Sequence, residues 1–189
     1  MIELLFTTSD KTFSKIACWA MNTDCSHFAI NLDNGIIFHS NHLGVHIEPY
    51  SIFMANNKVV HSLKFKTPLR MSQEERLYQK LISLDYGKRY DFGGMLFLGL
   101  NFIAKKIFSL HLSKKNLWTD KDYLFCTEVL GSLLELDFGT FTFPKIENIT
   151  MKKPHEIFLE LSSLPFLTSG ASHKPSLALA QVSSKPSDR

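Results

Sequence analysis

The chain has 189 residues, with 21 lysine and arginine side chains against 18 acidic ones, a net charge of +3 with histidine neutral, and 44% hydrophobic residues. That length fits one domain with a sizeable core, and the near balance of charge leaves no electrostatic footprint for nucleic acid. Three cysteines, at 18, 25 and 126, cannot make a disulfide framework, so a reducing compartment is expected: the cytoplasm, or alternatively the inside of a virus particle.

Residues 1–6 lack a basic region followed by a long apolar run and read as a first strand rather than a secretory signal. Ser9 or Asp10 can cap a helix in which Phe13, Ile16, Ala17 and Ala20 recur at i, i+3, i+4 and i+7. Residues 26–33 and 36–40 are rich in β-formers around Asp33-Asn34-Gly35, a hairpin signal, and residues 44–50 and 58–66 alternate as further strands. The last of these puts Val59, His61, Leu63 and Phe65 on one face. Ser72-Gln73-Glu74-Glu75 reads as a capping box before a helix through Leu77, Leu81 and Leu84. Residues 90–110 and 123–136 complete the helices, with Asp91 as a cap of the former. A helix, then strands, then helices predicts an α+β fold, a small antiparallel sheet packed against helices. From residue 168 onward Ser, Pro, Lys and Ala dominate, which predicts a domain over 1–167 and a disordered tail over 168–189.

The hairpin loop decides which side chains share a face, because a slip of one residue inverts the strand. A two-residue loop at Asn34-Gly35 pairs Asp33 with Ile36 and separates His27 from His39. A three-residue loop, with Gly35 left-handed, pairs Leu32 with Ile36 and Ala29 with His39. The second register gathers Phe28, Ile30, Leu32, Ile36 and Phe38 on one face and His27, Ala29, Asn31, Ile37 and His39 on the other. The first mixes bulky apolar residues with His39 and Asn41. The hydrophobic pattern selects the three-residue loop, which sets His39 diagonal to His27, within reach of a hydrogen bond.

Cys126 lies in Tyr123-Leu124-Phe125-Cys126-Thr127-Glu128, an apolar run turning into a helix. At a helix N-terminus a thiol meets the positive end of the dipole and unsatisfied N–H groups, which favour the thiolate and can bind an oxyanion. If residues 119–122 form a capping box, however, Cys126 falls a full turn inside, as an ordinary buried cysteine. Cys18 and Cys25 are weaker candidates, one within the first helix and the other just ahead of the His27 strand.

Ser26-His27-Phe28-Ala29-Ile30 at the start of a hairpin, His39 in Ile37-Phe38-His39-Ser40, Tyr90-Asp91-Phe92 opening an apolar helix, and Phe125-Cys126-Thr127-Glu128 further on together resemble the circularly permuted NlpC-type cysteine hydrolases. This branch of the papain-like superfamily includes lecithin:retinol acyltransferase-like enzymes and permuted amidases, and the resemblance covers residues 1–140. It implies a permuted papain-like fold in which Cys126 is the nucleophile, His27 the base and His39 the group that orients His27. The implied function is a thiol-dependent hydrolase or acyltransferase that cleaves an amide, ester or thioester without cofactor or metal, on a peptide-like or lipid acyl substrate.

Two competing expectations follow from the residues. A non-catalytic binding or structural module would keep the fold with an inert Cys126. A zinc site would use Cys25, His27, His39 and His42 or His46, although their spacing matches no common finger or ribbon. Glu48, Asp85 and Asp91 are carboxylates with no matched partner at readable spacing. The apolar run from Phe92 is too short to cross a bilayer and reads as a core helix packed behind the sheet, its Gly93, Gly94 and Gly99 suggesting close packing; peripheral contact with a membrane is the alternative.

Overall fold

The computed structural model describes residues 1–32, 35–110, 123–124, 126–138, 141–147 and 149–170. In chain order these form β1 (Glu3–Thr8), α1 (Thr12–Met21), β2 (His27–Asn31), β3 (Ile36–Asn41), β4 (Gly44–Pro49), α2 (Tyr50–Asn56), β5 (Lys58–Phe65) and α3 (Met71–Lys80). There follow β6 (Arg89–Tyr90), α4 (Phe92–Phe108), β7 (Tyr123–Leu124), α5 (Cys126–Leu134), α6 (Pro154–Ser162) and β8 (Leu167–Gly170). The fold is α+β, as expected. Six antiparallel strands run in the order β4-β3-β2-β1-β5-β8.

The hairpin takes the three-residue-loop register. Ala29 pairs with His39, Ile30 with Phe38, and the Leu32 N–H bonds the Ile36 carbonyl. Gly35 sits at φ +75°, the left-handed conformation that such a loop requires; Asp33 and Asn34 lie outside the described residues. Phe28, Ile30, Leu32 and Phe38 therefore enter the main core with Leu4, Phe6, Leu63 and the inward residues of α3, α5 and α6. Ala29 and Ile37 face the other way into a small cluster with Leu5, Val59 and Phe53. This second face exists because the chain leaves the β4 edge and recrosses the sheet through α2 to reach β5.

Several expectations need correction. The β1–β5 ladder carries a bulge, with Phe6 paired to His61 and Thr7 to Val59. Val60 is the extra residue, so Val59 turns to the small cluster while His61, Leu63 and Phe65 keep the other face. The α1 cap is Lys11 rather than Ser9 or Asp10, and α3 begins two residues earlier than expected, with Gln73 Oε1 accepting the Arg70 N–H at 2.7 Å. Residues 50–56, between the two expected strands, are helical, so the strand expected over 44–50 ends at Pro49. The helix predicted over 123–136 starts at Cys126 because Tyr123–Leu124 pair in parallel with β6. Residues 168–170 are not tail: β8 pairs with β5, and only 171–189 lie outside the described residues.

α4 is not a core helix behind the sheet. It packs along α1, with Phe97 and Leu98 buried and Leu96, Leu100, Ile107 and Phe108 exposed. At Gly99 a Cβ would meet open space, so close packing does not explain that glycine. Asp91 does cap α4, its Oδ1 accepting the Gly94 N–H at 2.7 Å. None of the described helices is long and apolar enough to cross a membrane.

Candidate active site

Backbone pairing brings the distant Cys126 segment to the hairpin. The β4 start bonds to the chain before β6, Val45 N–H to Lys88 O at 2.8 Å and Gly87 N–H to Val45 O at 2.9 Å. Gly44 permits this approach, since at φ +105° a Cβ there would lie 2.5 Å from Lys88 O. β6 pairs with β7, and β7 feeds α5, whose first residue is Cys126.

His27 and His39 project from one face of the sheet, as the register requires. His27 Nε2 stands 3.1 Å from His39 Nδ1, with the rings edge to face at 5.3 Å. Phe53 of α2 closes the cluster from above, its ring 5.1 Å from His39 and 6.2 Å from His27. Burial, then the charge of His46, pushes His27 down to about 4. Burial, then His27 and His46, pushes His39 down to about 2. Both imidazoles are therefore neutral at physiological pH.

Glu48 is the residue the sequence reading set aside. Its Oε1 lies 3.0 Å from His39 Nε2, a charge contact without hydrogen-bond alignment, since that nitrogen is buried and makes no hydrogen bond. The β3–β4 ladder pairs Ile37 with Glu48 and His39 with His46, so Glu48 is diagonal to His39 on the face that His27 also shares. Alternation in residues 44–49 already put His46 and Glu48 on one face; the missing information was the short connection at His42 and Leu43, which fixes that strand's register on β3. The side chain of Asp85 lies outside the described set.

Cys126 occupies the other end. The helix it opens packs on the main-core face, opposite the histidines. Its sulfur nonetheless lies near the edge of β2: the β2–β3 ladder ends at Ala29, and the backbone amide of Phe28, the residue after His27, is close enough to pull the thiol's titration down. The backbone amides of Thr127 and of Cys126 itself act in the same direction. The thiol is 7% exposed, and burial pushes it up to about 11 against the pull of those N–H groups. A thiolate preformed by the helix dipole is thus not the resting state, because desolvation outweighs it.

Two cavities meet here. One of about 540 Å³ is lined by His27, His39, Ser40 and Glu48, and one of about 220 Å³ by Cys126, Thr127 and apolar residues of α1 and α4. They share Phe13, Ser26, Tyr90 and Met95 as walls. Tyr90 is buried, which raises its phenol, and its hydroxyl donates to Met95 Sδ at 3.1 Å.

Ligating atoms of His39, His46 and Glu48 lie within 4.8 Å of one another and could hold an ion. Both nitrogens of His46 are already engaged, Nε2 with Asn41 Nδ2 at 3.4 Å and Nδ1 with the Gly44 carbonyl at 3.0 Å, whereas His39 Nε2 makes no hydrogen bond. The zinc set drawn from the sequence does not assemble. Cys25 is fully buried in the main core, its thiol pushed up to about 12 by burial, and His42 is exposed in the β3–β4 connection. All three cysteines are free.

The chain matches no family model and no curated protein. Among solved structures it is similar to the metalloprotein yiiX from Escherichia coli O157:H7 (DUF1105), at 17% identity over 92% of this chain and 97% of that chain, with a TM-score of 0.49.

Proposed function

We propose that the protein is a thiol-dependent hydrolase or acyltransferase in which Cys126 is the nucleophile, His27 the base and His39 its orienting partner, held in turn by Glu48. The observation that carries this reading is the polar chain Glu48–His39–His27. The charge of a carboxylate 3.0 Å from His39 Nε2 favours a proton on that nitrogen, which leaves His39 Nδ1 an acceptor. His27 must then donate from Nε2, and its Nδ1 is left with a lone pair. A neutral imidazole fixed as a base is what an un-ionised thiol needs.

The proton therefore moves during attack. His27 takes the thiol proton as sulfur bonds the carbonyl carbon; the tetrahedral oxyanion meets the α5 N-terminal N–H groups and the Tyr90 hydroxyl. Its collapse expels the leaving group, protonated by His27, and water or an acceptor alcohol or amine then cleaves the thioester. No metal or cofactor enters this scheme.

The groove beyond Cys126 favours an acyl chain over a peptide-like substrate. Phe13, Ile16, Ala17, Met95, Leu100 and Ile103 line it, and such walls offer few partners for a peptide backbone. Beside it α1 and α4 expose Trp19, Leu96 and Ile107, with Lys105 and Lys106 nearby, a composition suited to peripheral contact with lipid. The burial of Cys126 and its raised titration favour the second reading, a non-catalytic module with the same fold.

A series of p-nitrophenyl esters from acetyl to dodecanoyl separates the two. Turnover that rises with chain length, an acyl adduct on the Cys126 peptide by mass spectrometry, and loss of both in Cys126→Ala are expected. No adduct and no release with any ester would leave the non-catalytic module.

A further inference from the structure

On the sheet face opposite the histidine pair, a second group of ligating side chains converges from three distant parts of the chain. Asp24 lies in the turn before β2, His61 on β5 and His155 in the first turn of α6. His61 Nε2 is 2.8 Å from Asp24 Oδ2, His155 Nδ1 is 3.3 Å from Asp24 Oδ1, and one ligating atom from each residue lies within 4.8 Å of the other two. The β5 bulge sets His61 on this face, and Phe158 of α6 stacks on its ring at 4.3 Å and 13°. His155 Nδ1 is buried and makes no well-formed hydrogen bond despite the carboxylate nearby. An orphaned buried nitrogen of this kind is uncommon and asks for a partner.

We propose that Asp24, His61 and His155 bind one divalent first-row transition-metal ion, with Zn²⁺ as its natural probe. Two imidazole nitrogens and one carboxylate oxygen suit zinc rather than magnesium or calcium, which take all-oxygen sets. Ligands at about 2.0–2.1 Å from a tetrahedral ion stand roughly 3.4 Å apart, close to the separations from Asp24 to the two histidines. A cavity of about 500 Å³ lined by Cys18, Trp19, Asn22, Thr23, Asp24 and His155 opens beside the cluster, so water can fill the fourth position. The ion would tie α6 to β5 and to the α1–β2 turn, stabilising the fold in proportion to its free concentration. None of these residues belongs to the Cys126 site, so this proposal stands or falls separately from the enzymatic reading.

The test is calorimetric titration of the untagged full chain with Zn²⁺, alongside its melting temperature over the same range of ion. One saturable equivalent and a concentration-dependent rise in melting temperature are expected, with affinity falling at least tenfold in His61→Ala and in His155→Ala and unchanged in His39→Gln. His155 is half-exposed on a helix, so its variant remains informative if His61→Ala fails to fold. Loading the wild-type protein with Co²⁺ should give visible ligand-field bands that Zn²⁺ abolishes. Absence of saturable binding, binding that survives both substitutions, or binding lost in His39→Gln would each overturn the assignment.

Discussion

The two faces of the sheet are built to different rules. The main face is a continuous apolar layer, from Leu4, Phe28, Ile30, Phe38 and Leu63 to Leu77, Leu130, Leu133, Ile157 and Leu161, all buried under α3, α5 and α6. The other face is covered by the seven-residue α2 and holds only Leu5, Ala29, Ile37, Phe53 and Val59 beside His27, His39, His46 and Glu48. Burial of apolar area stabilises the first. The second spends its space on imidazoles that lose hydration and are compensated by one another, by a nearby carboxylate and, for His46, by Asn41 and the Gly44 carbonyl. Stability and candidate chemistry are thus separated by one layer of backbone, and Cys126 belongs to the stable side while its sulfur reaches the edge of the polar one.

The separation is broken most sharply by substitutions that act on one face alone. His27→Gln and Cys126→Ala should each lower ester turnover by about a thousandfold or more while leaving the urea midpoint within error of wild type. A large loss of stability in both would mean that these residues are structural. Leu133→Ala, on the main face and two turns along α5 from Cys126, should do the reverse and cost about 2–5 kcal/mol of unfolding free energy. Glu48→Gln comes next, with an expected loss of about ten- to a hundredfold in turnover, since an amide can still accept from His39 but no longer holds its tautomer by charge. Glu48→Asp should recover part of that rate; equal rates for Glu48→Gln and wild type would remove Glu48 from the relay.

The apolar alternation of residues 26–40 was enough to pair the hairpin and to put His27 with His39, because an error of one residue would have mixed Phe28 and Phe38 with polar neighbours. Glu48 was illegible for a reason of distance: its meaning depends on a second register, β4 on β3, in a strand whose Ile47 is exposed and whose pattern is correspondingly weak. The Val60 bulge was illegible because an extra residue leaves the alternation on both sides intact. Residues 154–162 and 167–170 form α6 and β8 through long-range packing on β5, with β8 contributing backbone pairing more than apolar periodicity. Compositional reasoning therefore cut the domain at 167, three residues short. The Asp24–His61–His155 cluster depends on the bulge and on α6 together, and no spacing in the sequence announces it.

pH sharpens the comparison with smaller effects, because the faces carry opposite titrations. An unfolded histidine binds its proton at about 6.5. His27 and His39, held down to about 4 and about 2 by burial first, bind theirs only in more acid solution. Between pH 6.5 and 4 the unfolded chain therefore carries more protons, so stability is fully present above pH 6.5 and falls as the pH drops, by up to about 1.4 kcal/mol per pH unit for each proton taken up. The buried thiols of the main core run the other way. Cys126 and Cys25, pushed up to about 11 and about 12, keep protons that an unfolded thiol releases near 8.5, so their contribution is lost as the pH rises through that range. Urea midpoints from pH 4 to 10 should show both limbs. The double variant His27→Gln/His39→Gln should flatten the acid limb and leave the alkaline one, and Cys25→Ala should reduce the alkaline limb alone, leaving the part that Cys126 supplies. An acid limb unchanged in the double variant would mean that the imidazoles are hydrated in the folded protein, and the neutral relay from Glu48 to His27 would fail with it.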